Sequence, residues 1–236
     1  WSPDGSRLAF SSARQAPRQN AIFWKDAANI GNEEVVSQGP ANQRLNDWSP
    51  DGKLLLVAQT AGLGDLWILP VAPNAANGER KAEPYVQSTQ FSETRGQFYP
   101  VVNPDGRYWI AYSSNETGQN EIYVESLPRG APRVTVSTAG GMQPRWRRDG
   151  RELFYLSLDR KLMAVDVTMG KQLEFGVPKA LFQTRVSGGS TDISRVLRYD
   201  ATRDGKRFLI NSEPEGAEAA SALITIVLNW KASLTN

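Results

Sequence analysis

The sequence contains no histidine and no cysteine, and these two absences exclude several kinds of chemistry. Without cysteine the chain can form no disulfide and offers no thiol nucleophile. Without histidine it contains no Ser-His-Asp or Cys-His arrangement of its own. Protein zinc sites are built mainly from these two residue types, so we expect no zinc. We expect no catalytic residues, no cofactor and no bound metal, while carboxylate chemistry and oxygen-ligated calcium or magnesium stay open.

The chain also has little net charge and no long apolar segment. Its 236 residues include 27 basic and 25 acidic side chains, which leaves a formal net charge of +2. This near balance gives no drive toward nucleic acid or an anionic membrane surface. No apolar run is long enough to span a bilayer. We therefore expect no nucleic-acid partner and no membrane insertion through this chain.

What the sequence does contain is a Pro-Asp-Gly-like motif that recurs five times at spacings of 44 to 55 residues. A repeat of this length, rich in short apolar strands and without helical periodicity, is typical of β-propeller blades. We predict an all-β chain of four-stranded antiparallel blades. The Asp-Gly pairs of the motif are Asp4 and Gly5, Asp51 and Gly52, Asp105 and Gly106, Asp149 and Gly150, and Asp204 and Gly205.

Each motif reads as a tight turn between two strands. Proline presets the second position of a type I turn, aspartate suits the third, and glycine accepts the left-handed conformation that follows. A strand should therefore end at the residue in the tryptophan position, which is Val102 in the third copy, and another should begin after the glycine. Turn chemistry explains these aspartates and glycines, so we interpret them as structural.

The repeats predict one propeller domain over residues 1–236, with units at about 1–43, 44–96, 97–141, 142–194 and 195–236. The sequence opens inside a motif, and the last repeat contains three predicted strands. We expect about five blades of a six-bladed ring. Exposed sheet edges would then favour either an open ring or a strand-exchanged oligomer, with the strand from Ile224 to Trp230 at risk.

Polar residues near the starts of the innermost strands are the candidates for ligand or partner binding. Several arginines that approach one axis suit a carboxylate, a phosphate or an acidic peptide. The alternative is that they are solvated rim residues, or that they pair with Asp47, Asp200 and Glu93. The candidates are Arg44, Asn46, Arg95, Gln97, Tyr99, Gln143, Arg145, Arg195 and Arg198.

Two loops and three tryptophans complete the set of candidates. We predict a loop from Ser11 to Asn20, which is either a contact loop through Arg14 and Arg18 or simply mobile. A second loop, from Val186 to Ser194, has the composition of a flexible linker. The strand tryptophans favour core or inter-blade packing over recognition; they are Trp24, Trp67 and Trp109.

The Trp-Ser-Pro-Asp-Gly copies, each followed by an aliphatic strand and then by an Asp-Leu-Trp or Glu-Ile-Tyr strand, resemble the TolB-type propeller repeat, also called the WD40-like or PD40 repeat. The copies at Val102 and at Arg147 depart from this pattern. The segments 199–211 and 224–230 look like the closing part of bacterial proteins in which a propeller follows a serine/threonine kinase or a DNA-binding regulator domain. No kinase signature is present in this sequence.

The resemblance implies a non-catalytic module that binds a ligand or a protein within a larger bacterial signalling protein. The partner would be a protein, a peptide or a small molecule. Two alternatives stay open: the propeller gate of a prolyl-oligopeptidase-type serine peptidase, and a periplasmic scaffold of the TolB kind. We expect an extracytoplasmic location, and a cytoplasmic one stays open.

Overall fold

The computed structural model describes residues 1–16, 19–28, 31–39, 41–60, 63–73, 75, 78–101, 103, 105–170, 172–186, 197–212 and 223–228. Within these residues the structure contains β-strands and no helix, and the strands form five antiparallel sheets. In four of the five sheets each strand pairs with the next strand of the chain, as the repeats predict. Arg195, Arg18 and Val102 lie outside the described residues, and so does most of the predicted linker loop.

The strands of each sheet follow one another in the chain. The first sheet contains β1 (Arg7–Ala16), β2 (Gln19–Asp26) and β3 (Glu34–Ser37). The second contains β4 (Asn42–Trp48), β5 (Leu54–Thr60), β6 (Gly64–Pro70) and β7 (Glu83–Val86). The third contains β8 (Glu93–Phe98), β9 (Tyr108–Ser114), β10 (Glu121–Leu127) and β11 (Val134–Thr135).

The fourth sheet contains β12 (Met142–Trp146), β13 (Glu152–Leu156), β14 (Lys161–Met169), β15 (Leu173–Phe175) and β16 (Lys179–Gln183). The long strand β14 pairs with β15 near its end and with β16 near its start. The fifth sheet contains β17 (Tyr199–Ala201), β18 (Arg207–Ser212) and β19 (Leu223–Leu228). The inner strands β4, β8, β12 and β17 begin close to the predicted repeat boundaries.

The five motif turns have the predicted geometry. Each motif glycine has a φ between 67° and 78°, and its N–H donates to the carbonyl three residues earlier at 2.8–2.9 Å. Each motif aspartate accepts the N–H two residues further on through Oδ1, at 3.0–3.2 Å. The motif aspartates and glycines therefore take part in the hydrogen bonds of their own turns.

Apolar clusters lie between successive sheets, because each middle strand uses both of its faces. In β5, Leu55 and Val57 pack toward the first sheet, whereas Leu56 and Ala58 pack toward the third. Side chains alternate between the two faces of a strand, so a continuous apolar run fills two interfaces at once. At each of the four junctions between successive sheets, the described residues form one such apolar cluster.

The strand tryptophans support these interfaces, as the sequence indicates. Trp24 is 3% exposed and Trp109 is 1% exposed. The ring of Trp24 stacks on that of Trp48 in the next sheet, with 6.2 Å between centroids. Trp67 is partly exposed on β6. Stacked aromatic rings of this kind join one sheet to the next.

Two predictions about local structure were wrong. The predicted loop from Ser11 to Asn20 is mostly strand, since β1 continues to Ala16 and pairs with β2 across an irregularity after Ser12. The exposed side chain of Arg14 donates to the Glu33 carboxylate and lies over the ring of Phe10 at 5.4 Å. It is therefore part of the hairpin surface and not of a contact loop.

The inner strand of the third sheet, β8, also ends earlier than the motif predicts. β8 ends at Phe98, and the Tyr99 N–H donates to the Trp109 carbonyl at 2.7 Å. The equivalent bond in the second sheet joins the Ser49 N–H to the Leu54 carbonyl. Phe98 therefore takes the place of Trp48, because the third repeat inserts extra residues between the strand and its turn.

Candidate functional site

A cavity of about 830 Å³ lies where the inner strands end. All five sheets contribute to its wall, through residues 1–5 before β1 and through the ends of β4, β8, β12 and β17 with the turns that follow them. We call it the mouth cavity. Its wall consists of residues 1–5, 47, 48, 50, 97–100, 146, 148 and 200–203.

Several aromatic and proline residues belong to the wall. Trp48, Phe98 and Trp146 occupy the last position of three successive inner strands. The ring of Tyr99 packs edge-on against that of Trp146, with centroids 5.0 Å apart. Pro3, Pro50 and Pro100 add further apolar surface. These four aromatic side chains are at most 9% exposed, so they support the wall from behind, and polar atoms form more of its accessible surface than apolar atoms do.

The residue before the last position of each inner strand is polar, and we call these residues the polar ring. It consists of Asp47, Gln97, Arg145 and Asp200. Asp47 Oδ2 accepts the Phe98 N–H at 2.8 Å, and Gln97 Oε1 accepts the Trp146 N–H at 2.7 Å. Each bond joins one sheet to the next, because its donor is a backbone N–H group of the inner strand of the next sheet.

The last contact of the polar ring is an ion pair. Arg145 Nε lies 3.8 Å from Asp200 Oδ1, and the Arg145 side chain is 14% exposed whereas that of Asp200 is 71% exposed. Arg145 Nε itself is buried and makes no hydrogen bond within the described part of the chain. The predicted pairing of arginines with Asp200 is therefore present at Arg145.

Burial raises the pKa of Asp47 from its ordinary 3.8 to about 6. The charge of Arg145 and the backbone N–H groups of Trp48 and Phe98 oppose this effect and only partly offset it. The polar ring therefore contains a carboxyl group whose charge changes near neutral pH.

Arginines come together next to the polar ring. Burial lowers the pKa of Arg95 to about 10, and the positive charges of Arg44 and Arg145 add to this effect. The three side chains belong to β4, β8 and β12, which are neighbouring inner strands. The role of these arginines in ligand binding stays a prediction.

The other candidates have different positions. Gln143 is fully buried, and its Oε1 accepts the Arg198 N–H at 2.9 Å, so it joins the fourth sheet to the fifth. Tyr99 is 6% exposed and Arg198 is 9% exposed. Asn46 is partly exposed on β4. Of the candidates, Gln97 and Tyr99 line the mouth cavity, which lies at the ends of the inner strands.

Sequence reasoning missed several residues of the cavity wall. Arg148 and Arg203 are exposed and line it, as does the segment from Trp1 to Gly5. The motif itself was the available signal, because both arginines belong to a motif turn. The sequence analysis assigned those turns to structure alone.

The described residues show no cluster of three or more acidic side chains placed to hold a metal ion. Among the same residues there is no helix long and apolar enough to cross a membrane. No family model matches the sequence, and no curated protein matches it.

Similarity to solved structures is clear. TolB from Acinetobacter baumannii superposes with a TM-score of 0.68 at 17% identity, over 97% of this chain and 50% of that one. The chain has a TolB-like β-propeller fold. The putative TolB from Agrobacterium tumefaciens gives a TM-score of 0.54 at 20% identity, over 76% of this propeller and 64% of that chain.

One peptidase structure is also similar. A chain from a study of two prolyl endopeptidases gives a TM-score of 0.50 at 13% identity, over 97% of this chain and 35% of that one. The TolB-like propeller described here spans about half the length of the Acinetobacter TolB. At these identities the similarity shows the fold, and the link to kinases or transcriptional regulators stays a prediction.

Proposed function

We propose that this TolB-like propeller is a non-catalytic binding module whose ligand enters the mouth cavity. The observation that supports the proposal is that all five sheets line one cavity at the ends of the inner strands. Its volume of about 830 Å³ lies within the range of ligand sites. Residues that converge from separate repeats form one surface that no single repeat provides.

The composition of the wall favours a peptide segment of a protein partner. The exposed side chains of Trp1 and Pro3 line the cavity, and they suit the apolar side chains of an extended peptide. The exposed charges of Arg148, Arg203 and Asp200 lie at the same wall and suit the polar groups of such a segment. A small molecule with an apolar body and a charged end fits the same description.

The proposal extends to the whole protein. The fold and the repeat resemblance support a sensor or interaction module within a larger bacterial signalling protein, located outside the cytoplasm. In that arrangement the propeller binds its partner and another domain responds.

The test is a selection of peptides from a displayed random library, followed by affinity measurements on variants. The double substitution R148E/R203E reverses two exposed charges of the cavity wall and should weaken the selected peptides at least about tenfold. The matched control K161E/K179E reverses two exposed charges on β14 and β16, where each lysine forms a surface ion pair. Equal binding to both variants, or a library without enriched peptides, would contradict the proposed peptide ligand.

A second candidate is the propeller gate of a serine peptidase. The prolyl endopeptidase similarity over 97% of this chain favours it. In this case the catalytic groups belong to a hydrolase domain of the same polypeptide. The sequence of the complete gene decides: an α/β-hydrolase domain supports the gate, a kinase or regulator domain supports the sensor, and a secretion signal with no enzyme domain supports a TolB-like scaffold.

A further inference from the structure

The proline position of the turn motif differs between the sheets that line the mouth cavity. It holds Pro3 and Pro50 in the first two turns, and Arg148 and Arg203 in the last two. All four residues line the cavity. The third copy has Pro104, which lies outside the described residues. Proline favours this position because it presets the backbone for the turn, so turn chemistry does not explain the two arginines.

The two arginines have no polar partner within the described part of the chain. Both side chains are exposed, and neither forms a hydrogen bond or an ion pair with a described residue. The residue before each of them is different. Arg147 donates to the Asp149 carboxylate at 2.6 Å, and the Thr202 hydroxyl donates to Asp204 Oδ1 at 2.6 Å. The motif aspartates are thus held within their own turns, and the charges of the two arginines stay available.

The fourth and fifth turns lie against each other. A Cβ added at Gly205 would lie 2.7 Å from Cδ of Arg147, so a side chain of the fourth turn packs directly on the backbone of the fifth. Arg148 and Arg203 therefore belong to touching turns and line the same cavity. Two exposed cations placed in this way attract an anionic group.

The other charged side chains of the wall are aspartates that already have partners. Asp4 accepts hydrogen bonds from its own turn, and Asp47 Oδ2 accepts the Phe98 N–H at 2.8 Å. Asp200 pairs with Arg145 at 3.8 Å. Among the described residues of the wall, the unpaired charged side chains are therefore both positive.

We propose that Arg148 and Arg203 bind a carboxylate of the ligand, so that the mouth cavity selects an acidic peptide segment. The inference rests on the proposed function and specifies its ligand as an extended segment in which aspartate or glutamate lies beside an apolar residue. The exposed Trp1 and Pro3 of the same wall suit that apolar residue. Guanidinium groups suit the carboxylate, because their planar donors match two oxygens at once.

The test uses three short capped peptides that alternate proline with glutamate, glutamine or lysine, and measures their affinity by fluorescence anisotropy. The wild-type chain should bind the glutamate peptide at least about tenfold more tightly than the glutamine peptide, and the lysine peptide most weakly. The affinity for the glutamate peptide should fall as sodium chloride is raised, because exposed charges are screened.

The double substitution R148P/R203P restores the proline of the other turns and removes both charges. It should keep the fold, because turns with proline at this position make the same hydrogen bond from the motif glycine. It should also abolish the preference for glutamate over glutamine, and R148Q/R203Q provides the same comparison if the proline variant does not fold. The matched control R151Q/K206Q removes two exposed charges of the same two turns that do not line the cavity, and it should keep the preference.

Equal affinity of the wild type for the glutamate and glutamine peptides contradicts the carboxylate site, and so does a wild type that binds none of the three. A preference that survives R148P/R203P and R148Q/R203Q contradicts it too. If R151Q/K206Q loses as much of the preference as R148Q/R203Q does, the effect comes from overall charge and the site is wrong.

The proposed function and the acidic ligand fail in different ways. Enriched library peptides without acidic residues leave the peptide site and remove the acidic ligand. Binding of the glutamate peptide through the two arginines, with no enriched library peptide, leaves the carboxylate site and removes the selective recognition of a protein segment.

Discussion

At the mouth cavity, the surroundings of a single residue change its pKa. Asp47 is the clearest example, since it accepts a backbone hydrogen bond from Phe98 and also faces Arg145, yet its pKa rises to about 6. The cost of burying a carboxylate exceeds the attraction of one nearby arginine. A charged group at this position is therefore unfavourable for stability at neutral pH.

The substitution D47N should raise the stability of the chain at pH 8. The folded pKa of about 6 lies above the ordinary 3.8, so the folded state binds this proton more tightly than the unfolded state. The contribution of Asp47 to the free energy of unfolding is therefore greatest below pH 4 and falls as the pH rises through 6. Asparagine keeps an acceptor for Phe98 and should gain about 1–2 kcal/mol at pH 8.

Thermal melts of wild type and D47N in chloride buffers between pH 4 and pH 8 measure this effect. The difference in melting temperature should be largest at pH 8 and smallest at pH 4, where the carboxyl group is protonated in the folded state and partly protonated in the unfolded state. A variant that is less stable than the wild type by the same amount at every pH would contradict the raised pKa.

At the scale of the element, the five turns share a backbone and differ in their surroundings. The glycines of the third and fourth turns have nearly equal φ values, 78° at Gly106 and 74° at Gly150. A Cβ at Gly106 would meet no atom within 4 Å, whereas a Cβ at Gly150 would lie 2.3 Å from Tyr99 Oη. Gly150 therefore packs against Tyr99, which follows β8, whereas the Cβ position of Gly106 is open space.

This difference predicts that G150A destabilises the chain more than G106A. Both substitutions place alanine in a left-handed conformation, at a cost of about 1 kcal/mol. G150A must also displace the ring of Tyr99, which packs edge-on against Trp146, at a further cost of about 1–3 kcal/mol. Chemical denaturation of the two variants measures the difference. Equal losses would mean that the Tyr99 contact with the turn is not maintained in solution.

At the scale of the whole molecule, the sheets are held together by polar bonds as well as by apolar clusters. Gln97 accepts two hydrogen bonds from Trp146. Its side-chain Oε1 accepts the backbone N–H of Trp146 at 2.7 Å, and its backbone oxygen accepts the indole N–H, with 3.2 Å to Nε1. These two bonds join the third sheet to the fourth at the wall of the mouth cavity.

The substitution Q97L should therefore weaken the junction between the third and fourth sheets. It leaves the Trp146 N–H without its side-chain acceptor, at a cost of about 1–2 kcal/mol. Q97E keeps an acceptor and should lose less, and Q87L, on an exposed residue after β7, serves as the control. Urea denaturation monitored by tryptophan fluorescence measures all three. A Q97L variant as stable as Q87L would show that the bond contributes nothing.

The sequence by itself determined the turns, most of the strands and the fold class. These features depend on residues close together in the chain, such as the Asp204 bond to the N–H two residues on or the alternating faces of β5. The prediction of a propeller then followed from five copies of the same turn motif. Two local predictions failed. β1 continues past Ser11 because it pairs with β2, and β8 ends at Phe98 because the third repeat has extra residues before its turn.

Only the tertiary structure decided where the site lies and how its charges behave. The bonds of Asp47, Gln97 and Gln143 to the next sheet join residues 51, 49 and 55 positions apart. The raised pKa of Asp47 and the gathering of Arg44, Arg95 and Arg145 likewise need three sheets in place. Burial and electrostatic interaction depend on distance in space, and the sequence states only distance along the chain.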